Sequence, residues 1–137
     1  MRSGIPGWAL RVGLGVAAAG ATAVAMAGAP GVGVLSAAGI VMMVLVVGTA
    51  LAPATVLPLL LLIGLVVYRL LAEGPVLDPG LAALVLLMPV IHQLAGLAGA
   101  IPTRSRCAWA VFRRPAVRFA VAVLPVQMAL LVVAVTR

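Results

Sequence analysis

A chain of 137 residues that is 66% hydrophobic and 8% charged, with mean hydropathy +1.36, lies far from the roughly 25% charged residues of an ordinary water-soluble domain. Its net charge of +7 does not point to nucleic acid, which would need a basic patch on a soluble surface; the charges stand instead at the ends of apolar runs, where arginine sets orientation and meets anionic headgroups. The single cysteine, Cys107, excludes an internal disulfide and a multi-cysteine metal site.

From Leu10 to Ala72 the only charges are Arg11 and Arg69, near the two ends of that 63-residue stretch. A continuous helix of that length would reach about 94 Å, roughly three times a 30 Å hydrocarbon core, so the segment is expected to cross about three times. Proline and glycine at Ala29 to Gly33 and proline at Ala52 to Thr55 break helical hydrogen bonding and mark the turns. The expected spans are 9–28, 33–51 and 55–72. EGPVLDP follows, with both acids of the chain, Glu73 and Asp78; it reads as a short polar hairpin in which Arg69 and Glu73, four apart, anchor the loop. A fourth span is expected over 80–101, an arginine-rich connector over 102–116 and a fifth span over 117–136. The predicted fold is therefore all-α, a single polytopic transmembrane helix bundle of about five spans. Arg2, the small-residue apolar run and Ala25-Met26-Ala27 also fit a signal peptide, whose cleavage would leave four spans.

Five crossings gather the N-terminus, the 52–54 turn and the arginine connector on one side, which the positive-inside rule makes cytoplasmic. Trp8 and Trp109 then fall at the cytoplasmic interface and Tyr68 near the outer one, as an aromatic belt expects. In the first span Gly13, Ala17, Ala21, Ala25 and Ala29 recur every four residues, a row that lets helix backbones approach closely, either within the bundle or against a partner.

His92 is the only histidine, and with Gln93 it lies near the middle of the fourth span. A polar pair at that depth is expected to face protein rather than lipid. Pro89 removes a backbone donor one turn earlier. Gln127, in the antiparallel fifth span, falls within about 4.5 Å of the same depth at helical rise, so His92, Gln93 and Gln127 form a candidate intramembrane polar site. The group serves either as an interhelical hydrogen bond or as a proton or solute path, since imidazole exchanges a proton near neutral pH. No acid lies inside any span to complete a relay.

Enzyme chemistry is not expected. One histidine cannot build a multi-histidine metal site, both carboxylates lie across the membrane from Ser105 and Cys107, and GAPGVG at 28–33 lacks the Lys-Ser/Thr of a P-loop. No catalytic, cofactor or metal residue is assigned, and no cofactor. Between Pro102 and Arg118 stand five of the nine basic residues, Arg104, Arg106, Arg113, Arg114 and Arg118, candidates for contact with lipid headgroups or a partner protein. Thr103 is placed to cap a short helix that stops before Pro115.

All nine basic residues are arginine and asparagine is absent, a bias that fits a GC-rich bacterial coding sequence. The order His92, Leu94, Ala95, Pro102, Arg104, Arg106 in HQLAGLAGAIPTRSR resembles that of small multi-span actinobacterial membrane proteins. That group is associated with gene neighbourhoods holding a MoxR-type AAA ATPase and a protein with a von Willebrand A-like region. The resemblance implies an accessory role in a membrane-associated assembly and transfers no functional residues. The expected protein is a non-enzymatic accessory or scaffold subunit in the bacterial cell membrane, N-terminus cytoplasmic. Its partners are the bilayer, anionic headgroups and a membrane protein or a second copy. The alternative is a small transporter or channel subunit with its path at His92, Gln93 and Gln127.

Overall fold

In the computed structural model, which describes residues 4–28, 35–71 and 78–136, the described residues form five helices and two three-residue strands. The order is β1 (Gly4–Pro6), α1 (Gly7–Ala27), α2 (Ala37–Leu51), α3 (Leu57–Leu70), α4 (Pro79–Ala100), β2 (Arg106–Ala108) and α5 (Ala110–Val135). Local chemistry explains several of the starts. Ser36 caps α2 by accepting from the Gly39 amide at 3.1 Å. Asp78 caps α4 by accepting from the Leu81 amide at 2.7 Å, with Pro79 supplying the fixed φ suited to the first helical position.

The bundle is assembled around α1, which packs on α2, α3 and, most extensively, α4. Its buried row is Leu10, Leu14, Ala18, Ala21 and Ala25, a mixture of three- and four-residue steps that keeps one face inward. Met42 and Val46 of α2, Leu61, Leu65 and Tyr68 of α3, and Leu84, Ile91, Ala95 and Ala98 of α4 complete the core. The alanines on α1 and α4 let these helices approach closely, so that packing rather than side-chain bulk holds them. Helix α5 is peripheral: Val123 is its one buried hydrophobic residue among those described.

Contacts at the two ends fix the path. At one end, the Gly7 amide donates to the Ser105 carbonyl at 2.9 Å, Arg11 Nη1 donates to the Leu51 carbonyl at 3.0 Å, and Gly99 lies against Ala54. At the other, Arg69 of α3 lies against Gly28 and pairs with Asp78 at the start of α4. Helices α1 to α4 therefore run alternately up and down between the same two ends. Helix α5 returns antiparallel along α4: Gln127 reaches back to Ala82, and Phe112 and Phe119 lie beside Leu94 and Leu97.

At four points the structure differs from what the sequence leads one to expect. Among the described residues two helices, α1 and α4, are long and apolar enough to cross a membrane, rather than about five. Helices α2 and α3 fall short, with 15 and 14 residues, about 22 and 21 Å against a core of about 30 Å. The 102–116 connector is not one unit, because β2 ends at Ala108 and α5 begins at Ala110, running through Pro115 and Pro125 without a break. Thr103 caps nothing; Trp109 holds the cap position of α5 and makes no side-chain cap bond. The four-residue row on α1 divides, with Ala21 and Ala25 buried but open space around Gly13. Steps of four advance 40° each on an α-helix, so the row winds off the buried face.

The exterior is apolar. Val12 and Val16 of α1, Ile40, Val44 and Val47 of α2, and Leu59, Ile63 and Val66 of α3 are all exposed. Water-soluble monomers rarely expose contiguous apolar patches beyond a few hundred Å².

Candidate functional site

The three polar positions inside the expected spans do not form one site. His92 follows buried Ile91 on α4 and lies on the exposed side of the helix; the expectation that it faces the bundle is corrected. The buried stripe Leu84, Ile91, Ala95, Ala98 settles the orientation of α4, and one residue beyond Ile91 is a rotation of about 100° away from it. Gln93 is half-buried and borders a cleft of about 240 Å³ between α4 and α5, lined mainly by Leu94, Leu97, Phe112 and Phe119. Gln127 Nε2 donates to the Ala82 carbonyl at 2.7 Å, while its Oε1 is buried and unpartnered. Ala82 is ten residues from His92, about 15 Å along the helix, so Gln127 and His92 do not meet. What Gln127 does is tie the second half of α5 to the first half of α4.

The Arg69 anchor also differs from its expected form. Its ion pair is with Asp78, with both side chains largely buried at 13% and 24% exposure; Glu73 lies outside the described residues. Asp78 thus serves twice, as helix cap and as counter-ion, and joins α3 to α4 beside the end of α1. Tyr68 is buried in the core rather than set in an outer aromatic belt.

The most elaborated region is the arginine-bearing end. Strand β1 pairs antiparallel with β2, with Gly4 opposite Ala108, Ile5 opposite Cys107 and Pro6 opposite Arg106. Just after the pairing, the Gly7 amide bonds Ser105, and a Cβ on Gly7 would collide with the Pro102 carbonyl. The loop itself is tightened by the Ser105 hydroxyl, which donates to the Pro102 carbonyl at 2.7 Å. Cys107, in β2 opposite Ile5, is free and buried. Trp8 and Trp109 are exposed at the same end, and Trp109 packs edge-on against Phe112 with ring centroids 5.9 Å apart.

Arg104 and Arg106 lie exposed on the clamp, and Arg113, Arg114 and Arg118 lie exposed on the first half of α5. The last three border one open cleft of about 530 Å³, with Ala110 and Val117 between them. Asp78, the one acid among the described residues, is at the opposite end and engaged with Arg69.

No family model, curated protein or solved structure matches the chain. Site chemistry therefore rests on these residues alone, and among the described residues no three His, Cys, Asp or Glu gather to hold a metal.

Two features escaped sequence reading. Arg11 caps the C-terminal end of α2, where the helix dipole favours a cation; its spacing from Leu51 gave no sign of this, because the partner is a backbone carbonyl. Thr22 and Thr49 are buried core residues with unpartnered hydroxyls.

Proposed function

We propose that the chain is a multi-spanning bacterial membrane protein, N-terminus cytoplasmic, acting as a non-enzymatic accessory or scaffold subunit of a membrane-associated assembly. The observation that carries this reading is the bundle's surface: valine, leucine and isoleucine are exposed along α1, α2, α3 and α5, while among the described residues the arginines other than Arg69 gather at one end. A hydrocarbon solvent makes such a surface favourable, and headgroups accommodate such an end.

Five crossings remain the proposed topology although α2 and α3 are short. Both run between the same two ends as α1, as the Arg11–Leu51 and Arg69–Asp78 contacts support. Local bilayer thinning accommodates short helices at a cost of fractions of a kcal/mol per Å. The transporter or channel alternative is weaker, since it needs a shared polar path and His92, Gln93 and Gln127 occupy three different environments. The resemblance of 92–106 to small actinobacterial membrane proteins fits an accessory role beside an ATPase.

Purification of the full chain in mild detergent, with identification of co-purifying proteins, tests this. A stoichiometric partner is expected; a clean homo-oligomer that conducts a solute in liposomes would overturn it.

A further inference from the structure

We propose that the outer face of α5 is a binding site for a single anionic phospholipid of the cytoplasmic leaflet, its phosphate held by Arg113, Arg114 and Arg118. The proposal rests on the membrane reading above and adds a ligand to it.

The face is continuous and divided by chemistry. Ala110, Arg113, Arg114, Val117 and Arg118 follow helical spacing and line the cleft of about 530 Å³. Small residues at 110 and 117 leave the space between the guanidinium groups open. Arginine suits the task because its planar fork binds phosphate oxygens bidentately, whereas lysine acts as a point charge. The three side chains are exposed, and the described acid lies at the far end of the bundle.

Below the cleft the same face becomes apolar. Val117, Val121, Leu124 and Met128 succeed one another at steps of four, three and four residues, and all are exposed, Val121 at 71%. From Val117 to Met128 is eleven residues, about 16 Å along the helix, close to half of a 30 Å hydrocarbon core. A cationic cleft above an apolar stripe one leaflet long is the complement of a phospholipid: phosphate in the cleft, acyl chain along the stripe. A soluble phosphate would use only the upper half, and an acidic protein would leave the stripe bare.

Trp109, next to the cleft, supplies the readout. In Trp8→Phe protein, where Trp109 is the remaining tryptophan, fluorescence is measured in phosphatidylcholine bilayers containing either brominated phosphatidylglycerol or brominated phosphatidylcholine. Preferential quenching by the phosphatidylglycerol is expected. A guanidinium fork bonded to phosphate is a short-range, charge-assisted contact, so its loss exceeds the diffuse attraction that every arginine at this end contributes. Arg113→Gln/Arg114→Gln should therefore lower the preference by more than tenfold, and Arg104→Gln/Arg106→Gln, outside the cleft, by less than twofold. Equal losses in the two variants would mean diffuse attraction and overturn the site. So would absence of preference in the Trp8→Phe protein, which requires no arginine variant to fold. Abolition of the preference by 10 mM inorganic phosphate would reassign the cleft to a soluble anion. Failure of both brominated lipids to quench Trp109 would instead sink the membrane reading.

Discussion

Replacing Gly7 with alanine should unlock the clamp between the N-terminal strand and the arginine-bearing loop. The added Cβ would collide with the Pro102 carbonyl and crowd the Thr103 Cα at 3.2 Å, both backbone atoms that cannot rotate away. Relief requires β1 and the 102–105 loop to separate, which also breaks the 2.9 Å bond from the Gly7 amide to Ser105. Overpacking of this kind costs about 1–3 kcal/mol and a lost hydrogen bond about 0.5–1.5 kcal/mol. Together they come to about 3 kcal/mol, offset by no more than about 1 kcal/mol of gained helix propensity. Cys107 reports the opening directly, because it is the single cysteine, is buried, and pairs with Ile5 inside the clamp. At 1.4 kcal/mol per factor of ten, a net 2–3 kcal/mol should raise the rate of maleimide labelling of Cys107 about 30- to 140-fold in mild detergent. Gly13→Ala, placed where nothing lies within 4 Å, should leave labelling unchanged. Equal Cys107 protection in Gly7→Ala and the parent protein would refute the reasoning.

Gln127→Leu deletes one interhelical hydrogen bond but also one buried unpartnered acceptor. Its stability in a denaturing-detergent titration should fall by no more than about 1 kcal/mol, and a loss above about 2 kcal/mol would show that Oε1 has a partner. Asp78→Asn keeps a good helix cap while removing the ion pair to Arg69, whereas Asp78→Ala removes both. The alanine variant should be the less stable by about 1 kcal/mol in the same titration, and equal losses would mean that the cap contributes nothing.

How much of this was legible in the sequence depended on whether the signal was local. Ala52 to Thr55 and Asp78-Pro79 marked real helix ends because proline and capping side chains act within one turn; the rest of EGPVLDP and the 29–33 turn lie outside the described residues. The start of α5 was misplaced because Pro115 was read as a stop, yet the helix runs through it. Which face of each helix turns inward was not legible: when nearly every residue of α4 is apolar, periodicity carries no contrast, and so His92 was assigned the wrong side. The pairing of residues 4–6 with 106–108 was equally hidden, since two three-residue strands a hundred residues apart share no pattern that distinguishes them from loops. Arg113, Arg114 and Arg118 were visible as charge, but their common cleft required knowing that one helix carries all three.

The five-crossing topology is tested most directly by placing single cysteines at Leu35, Ala54, Arg104 and Thr136 in a Cys107→Ala background. Each is then labelled in intact and in permeabilised cells with a membrane-impermeant maleimide. All four native residues are exposed. Five crossings predict that positions 35 and 136 react from outside and positions 54 and 104 only after permeabilisation. If only α1 and α4 cross, position 54 will react from outside with 35, and position 136 will be protected with 104, a pattern that would contradict the account.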